Sequence, residues 1–445
     1  MSGGKSYFKS ASECVAALRQ ITSSSQLLSS GSNKHVYSDL LSECVTFVPL
    51  MTASDLNVFS KSVAIMTKKF HPLNVNIFLY KSIDSRISNL LQDPGVRHSL
   101  LGTFNNLSQI ARWPPAVRHE TLWRFSKLDS WSVSTDLDAM DRCQILSVLS
   151  RLNMQPPLLL LDQSGDLSSC LKLSDHRTKV KGRICGALLA LAKLGHCRSE
   201  LFDVLIELIP SRLEELDARE LSNLFYALSF PAILHEDIFK WTELASVIVN
   251  KLERTLTSSS AGKSLSESCM NQIGVGSFGF ASSPFFNNIF KTDSSRRFSE
   301  YAVRRAQEEK GSNHITTSKA QKVIKESLAK LGIEDMFTEE FALGPYRIDL
   351  ASLPLSLLIE INGPFHYFNN TFSNARHTQQ LTAKSEFKRK VLHKLGFKVL
   401  EIGYMDLKDH RDRVKLIDEK LRAVLGIQHS PHSRLKNELG KLIIS

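Results

Sequence analysis

Between Arg376 and Lys398 the chain places Arg376, Lys384, Lys388, Arg389, Lys390, Lys394 and Lys398 against a single acid, Glu386. A run so one-sided suits contact with phosphate, where each cation that meets the backbone releases a condensed counterion. A solvated helix face accounts for part of it. Just upstream stand His366, Tyr367 and Phe368, with His377 nearby. Their rings can stack on unpaired bases, or they can pack a loop. At about 100° per residue, Lys384 and Lys388 fall inside the arc of Leu381, Val391, Leu392 and Leu395. They therefore face inward, whereas Arg389, Lys390 and Lys394 lie away from the centre of that arc.

Other chemistries find little support. The seven cysteines are odd in number, include no C-x-x-C pair and stop at Cys269. Reduced, mostly buried thiols are expected, with no zinc site and no disulfide framework. No Ser-His-Asp arrangement is defensible. No apolar run approaches the roughly 18 residues of a membrane helix. The net charge is +11, from 56 Lys+Arg against 45 Asp+Glu. Residues 291–445 carry most of that excess, which favours an anionic partner.

The basic run must sit on a helix, expected from about Thr378 to Leu395 and ended by Gly396. Strand-like runs flank it: Glu340 to Leu343, Tyr346 to Ala351, Leu355 to Ile361, and Lys398 to Ile402. The third is almost wholly apolar, as suits a strand covered on both faces, and Asn362-Gly363-Pro364 ends it. A helix from about Thr317 to Leu331 opens this small α/β domain, and another from about Asp406 to Leu425 closes it. The domain is expected over 313–427, with 428–445 as a tail.

Upstream, residues 36–253 read as helix throughout, with apolar residues recurring at three and four and polar caps at Thr52-Ala-Ser-Asp55 and Asp217-Ala-Arg-Glu220. Leu107-Ser108-x-Ile110-x-Arg112 returns as Leu146-Ser147-x-Leu149-x-Arg151. Offsets near 40 residues suit one helix hairpin per unit, hence a stacked α-solenoid; a non-repetitive helical bundle is the alternative. Residues 1–35, rich in Ser and poor in acids, read as a disordered or targeting N-terminus. Residues 254–312, with Thr257-Ser258-Ser259-Ser260 and Gly274-x-Gly276-x-x-Gly279, read as a flexible linker. That glycine pattern formally matches a dinucleotide fingerprint but lacks the preceding strand. Phe278, Phe280, Phe285, Phe286 and Phe290 are expected to pack on a neighbouring domain.

The C-terminal stretch resembles a RAP domain, an RNA-binding module abundant in apicomplexans. The residues that carry the resemblance are Tyr346-Arg-Ile-Asp349-Leu, Leu358-Ile-Glu360-Ile-Asn362-Gly363-Pro364-Phe-His366-Tyr367, Phe387-Lys388-Arg389-Lys390-Val391-Leu392 and Leu395-Gly396-Phe397-Lys398-Val399-Leu400. One departure is Tyr404-Met-Asp406-Leu407, where the family usually carries an aromatic, often Trp, after the last strand. RAP domains commonly follow helical repeats in organelle RNA-processing proteins such as the Fas-activated serine/threonine kinase family and octotricopeptide-repeat proteins. The resemblance implies mitochondrial RNA metabolism, with plastid or cytoplasm as alternatives. It implies single-stranded or structured RNA as partner, together with ribosomal or RNA-processing proteins.

RAP domains are similar to the PD-(D/E)XK nuclease fold, so the expected architecture is a helical-repeat solenoid followed by an α/β domain of that fold. In such nucleases an Asp and a Glu on adjacent strands hold Mg²⁺, with a Lys two residues after the Glu. Asp349 and Glu360 match the carboxylates, but Asn362 stands where the Lys would be and cannot stabilise a phosphoryl transition state by charge. Lys388 could replace it from the helix or simply pair with the carboxylates. The expected function is therefore non-catalytic RNA binding, with no cofactor. The alternatives are a Mg²⁺-dependent endonuclease using Asp349, Glu360 and Lys388, and a helical scaffold that binds proteins.

Overall fold

A computed structural model describes residues 8–23, 34–69, 77–93, 97–109, 139–156, 161, 179–235, 241–258, 265–311, 318–368, 380–409, 412–427 and 435–444. The chain divides into two compact units between Arg183 and Ile184. The fold is mostly helical, with a small four-stranded sheet near the C-terminus.

The first unit holds α1 (Ala11–Ser23), α2 (Lys34–Cys44), α3 (Ala53–Lys69), α4 (Ile77–Leu90), α5 (Arg97–Leu107) and α6 (Ala139–Leu152). Helices alternate in their packing, α1 on α3, α3 on α5 and α5 on α6. The expected cap before α3 forms: the Thr52 hydroxyl accepts from the Asp55 N–H, and the Asp55 carboxylate accepts from the Thr52 N–H. For residues 1–35, expected to be disordered or a targeting segment, helix α1 corrects the disordered alternative over the described residues 8–23. Cys14, Val15 and Leu18 are buried in it, because its apolar residues recur on one face despite the Ser-rich composition. The second copy of the Leu-Ser motif lies on α6; the first copy from Ile110 on, and the proline pair that follows it, fall outside the described residues.

The boundary between the units falls within α7 (Lys179–Leu194), and the second unit goes on with α8 (Glu200–Glu207), α9 (Ala218–Leu234) and α10 (Thr242–Ser258). At the start of α9 the Glu220 N–H donates to Asp217 and the Asp217 N–H donates to Glu220, the expected capping box. The expected linker is largely absent. Its place holds the end of α10, then α11 (Glu267–Ala281), α12 (Phe286–Ile289) and α13 (Asp293–Gly311), with Phe280 and Phe290 fully buried. Helix α11 packs on both α9 and α13.

The glycines that suggested a loop are what let these helices close. A Cβ on Gly274 would come within 2.5 Å of the Ala302 carbonyl oxygen on α13. One on Gly276 would meet Phe225 of α9 at 3.1 Å, and one on Gly279 would meet the tip of Phe387 at 2.6 Å. Each helical glycine costs about 1 kcal/mol relative to alanine. That cost is offset by large neighbours burying against bare backbone, each fully buried Phe being worth about 1.5–3 kcal/mol. The phenylalanines do pack as expected: Phe280 and Phe290 stand 5.2 and 6.3 Å from Phe225, and Phe278 meets Tyr346 edge-on at 5.7 Å.

The α/β part opens with α14 (Lys319–Lys330), followed by β1 (Thr338–Leu343), β2 (Tyr346–Ser352), β3 (Leu357–Asn362), α15 (Ala383–Lys394) and β4 (Lys398–Gly403). The sheet order is β1-β2-β3-β4, antiparallel for the first two pairings and parallel between β3 and β4. Helix α15 is the crossover that a parallel pair requires. It ends at Gly396, whose φ of +88° is the left-handed conformation that closes many helices. The single closing helix expected from Asp406 to Leu425 is two helices, α16 (Tyr404–Asp409) and α17 (Arg413–Leu425).

Leu357 and Ile359 of β3 and Leu400 and Ile402 of β4 point to one face, onto Ile324 and Leu328 of α14 and Ile417 and Leu421 of α17. Leu435 and Leu439 join the same core from α18 (Leu435–Ile444). Residues 435–444 are thus part of the domain rather than a tail, and Arg422 reaches Glu438 to fix them. By strand alternation Leu358, Glu360 and Asn362 face the other way, towards α15.

Gly279→Ala and Gly274→Ala are expected to lower the unfolding free energy by about 1–3 kcal/mol each through overpacking, although alanine is the better helix former. Urea unfolding of the purified chain measures this; stabilisation by either alanine would mean the helices are less closely packed than described.

Candidate nucleic-acid interface

The β2–β3 ladder that pairs Leu350 with Ile359 brings Asp349 alongside Glu360. Both carboxylates are engaged by the protein itself. Asp349 accepts from the Gln321 amide at 2.7 Å through one oxygen and from the Ile361 N–H at 2.7 Å through the other. Gln321 is also the reciprocal cap of α14 and donates to Glu340 at 2.8 Å. Glu360 is 7% exposed and carries the Lys388 ammonium on Oε1 at 2.6 Å. Lys388 also donates to the Arg347 carbonyl at 3.0 Å and lies 5.6 Å from the centre of the Tyr346 ring. Asn362 is buried and donates to Glu401 at 3.2 Å.

Burial governs this cluster. Desolvation pushes the Glu360 carboxyl up to about 7, outweighing the attraction of Lys388, while Asp349 and Glu401 push in the same direction. Glu401 is likewise raised, chiefly by desolvation. A divalent cation would need free carboxylate oxygens. Here each Asp349 oxygen accepts one N–H, and the Lys388 ammonium sits on Glu360. As arranged, both carboxylates are engaged by protein donors, and among the described residues no group of three or more His, Cys, Asp or Glu could hold a metal ion.

The basic run divides between inward and outward roles. Lys388 points to the sheet, as the helical periodicity indicates. Arg389 pairs with Glu386 at 2.6 Å and approaches Glu401 at 3.8 Å. Lys390 donates to the Leu234 carbonyl at 2.7 Å, at the C-terminus of α9, where a cation also complements the helix dipole. Lys384, expected to face inward with Lys388, is instead exposed, because the helix starts only at Ala383 and Leu395 is itself exposed; Lys398 is exposed and Lys394 partly so. Arg376 and His377 lie outside the described residues.

Of the rings, His366 is exposed, with Nδ1 3.3 Å from the Ser385 hydroxyl at the start of α15. Tyr367 is half-buried beside Tyr404, at 6.1 Å between centroids, and Phe368 is buried. Tyr404 thus supplies the aromatic neighbour at the end of the last strand. Sequence reasoning missed Phe365, which is 64% exposed on the turn beside His366. Its signal was available, as a large apolar residue directly after Gly363-Pro364 in a turn.

Stability should report the buried pair. Because the folded-state value of Glu360 is raised from 4.5 to about 7, its contribution is present below pH 4.5 and lost as pH rises through 7. The loss approaches about 3 kcal/mol. Glu360→Gln is expected to remove this part of the pH dependence, and Lys388→Met to destabilise by about 3 kcal/mol at pH 8 but less at pH 5. Urea unfolding from pH 4.5 to 8 tests both; parallel profiles for the unsubstituted protein and Glu360→Gln would refute the assignment.

No curated protein matches the chain. Residues 359–420, from β3 through α15 and β4 to α17, match the family model of the RAP domain. Asp349, β1, β2 and α14 precede the matched segment, and the match includes Glu360, Lys388 and the outward cations. At residues 359–420 the chain therefore carries a RAP domain, a module that is generally RNA-binding.

Proposed function

We propose that this protein is a non-catalytic RNA-binding protein of organelle RNA metabolism. It acts in mitochondria on mRNA or rRNA, to stabilise, process or assemble it, alongside ribosomal or RNA-processing proteins. The observation that carries the RNA-binding reading is the RAP-domain match at 359–420. The outward cations Lys384, Lys394 and Lys398 support it as phosphate contacts that carry no sequence information, with Phe365 and His366 near Lys384, at the start of α15, as rings for unpaired bases.

The helical region supports a role in tracking an extended strand. Alternate helices pack on one another, α1 on α3 and α3 on α5, then α9 on α11 and α11 on α13, as in a stacked array of hairpins. The α/β part resembles a PD-(D/E)XK fold in its mixed sheet and in the placing of Asp349 beside Glu360. The engagement of both carboxylates by Gln321, the Ile361 N–H and Lys388 supports binding without cleavage. Among the described residues no helix is long and apolar enough to cross a membrane.

The purified full chain is expected to bind single-stranded RNA with an affinity that falls as salt rises. Lys384→Gln with Lys398→Gln should flatten the plot of log Kd against log salt by roughly 0.7 for each phosphate that is no longer neutralised. The RNA should remain intact in millimolar Mg²⁺. Absence of salt-sensitive binding would favour the protein scaffold. Mg²⁺-dependent cleavage abolished by Asp349→Asn, Glu360→Gln and Lys388→Met would favour the endonuclease. Crosslinking in cells, followed by sequencing of the bound RNA, tests the organelle.

A further inference from the structure

Cys14 on α1 and Cys44 at the end of α2 are both 0% exposed, and their sulfur atoms lie 3.0 Å apart. The contact is framed on both sides. Phe8, just ahead of α1, meets Phe47 edge-on at 6.2 Å, and its N–H donates to the Glu43 carboxylate at 3.4 Å. At the far end of α1 the Thr22 hydroxyl lies 3.4 Å from the Ser62 hydroxyl of α3. The two sulfurs are 30 residues apart in sequence. Docking of a whole helix brings them together, not a local turn.

Two thiols in contact can share a proton, share a metal ion or be oxidised. An S–H donor is weak and sulfur is a weak acceptor, so the first adds little to the packing. Structural thiolate sites for metals take four ligands. Among the described residues no group of three or more His, Cys, Asp or Glu stands together. Oxidation is the chemistry for which this pair is already arranged, because sulfurs at 3.0 Å need to close by only about 1 Å to bond.

We infer that Cys14 and Cys44 are a redox pair, forming a reversible disulfide that locks α1 onto the first unit. The oxidant is a low-molecular-weight disulfide. The Cys14 thiolate attacks one of its sulfurs and displaces one thiolate, leaving a mixed disulfide. The Cys44 thiolate then attacks the Cys14 sulfur and displaces the second. The protein gives up two protons and two electrons, and the oxidant leaves as two thiols.

Burial sets the order of these steps. The contact with Cys14, together with desolvation, holds the Cys44 thiol well above its ordinary value, so the closed pair is unreactive. Helix α1 buries only Cys14, Val15 and Leu18. A segment anchored by so few side chains opens at low cost. Opening exposes Cys14 to the oxidant, and the return of α1 carries it back to Cys44. The finished bond is sealed from reductants and opposes the next opening. This inference does not depend on the RNA-binding reading.

The test uses the reduced full chain incubated with oxidised glutathione. Remaining thiols are blocked with N-ethylmaleimide before digestion and mass spectrometry. Two of the seven thiols are expected to disappear into one peptide that links Cys14 to Cys44, and dithiothreitol should restore both. Amide hydrogen exchange along α1 should slow at least tenfold in the oxidised chain. Cys44→Ala should leave glutathione on Cys14 and α1 exchanging as in the reduced chain. Absence of the linked peptide would overturn the pair. So would a mixture of linkages no different from that of the chain oxidised in urea. A linked peptide without slower exchange in α1 would overturn the lock.

Discussion

The second unit depends on how closely its helices can approach the bare backbone of α11. Three glycines in six residues leave that surface without side chains, and a different neighbour uses each one: α13 at Gly274, Phe225 at Gly276 and Phe387 at Gly279. Phe387 is the decisive case, because it belongs to the RAP domain. It stacks at 4.8 Å on Phe230 and meets Tyr226 edge-on at 6.2 Å, both on α9. Close packing at this point fixes the rotation of α15. That rotation in turn decides which of its cations point to the sheet, to the end of α9 and to water. Without the approach at Gly279, Lys390 would lose the geometry that brings it to the Leu234 carbonyl, 156 residues away in sequence.

Charge in the RAP domain is therefore better counted by direction than by number. The sequence concentrates cations on one helix, and their sum invites a picture of uniform attraction for a polyanion. Packing divides them. Lys388 neutralises a buried carboxylate, Arg389 binds two glutamates, and Lys390 closes a helix. What remains for a partner is a smaller and more localised set, placed at the two ends of α15 rather than along it. Localised charge holds a strand in register better than diffuse charge does, because phosphate contacts position a nucleic acid even though they carry no sequence information.

Much of this was legible from sequence because it is local. Alternation and apolar runs placed the four strands, Gly396 placed the end of α15, and helical periodicity turned Lys388 inward. The resemblance located the RAP domain from motifs in series. What failed was composition used in place of periodicity. Ser and Gly around residue 270 read as a linker, although Cys269, Ile273, Gly276 and Phe280 recur at helical spacing and are buried. Likewise α18 is short and follows a natural end point at Gly426, so nothing local announced that Leu435 and Leu439 complete the core. The bond from Lys390 to the Leu234 carbonyl is a long-range contact that no window of sequence contains.

The Lys388–Glu360 pair also acts as an evolutionary ratchet. Suppose a descendant of this chain were selected for divalent-metal chemistry at the same carboxylates. A lysine at 362 would remove the Asn362 contact to Glu401 and set a second ammonium beside Lys388, a like-charge neighbour in a poorly solvated space. Loss of Lys388 first would strand Glu360 among apolar groups before any metal could replace it. Asp349 would also have to release two hydrogen bonds. Each first step lowers fitness through stability, and the benefit arrives only when several coincide. Stability alone thus opposes a drift of these carboxylates towards metal binding.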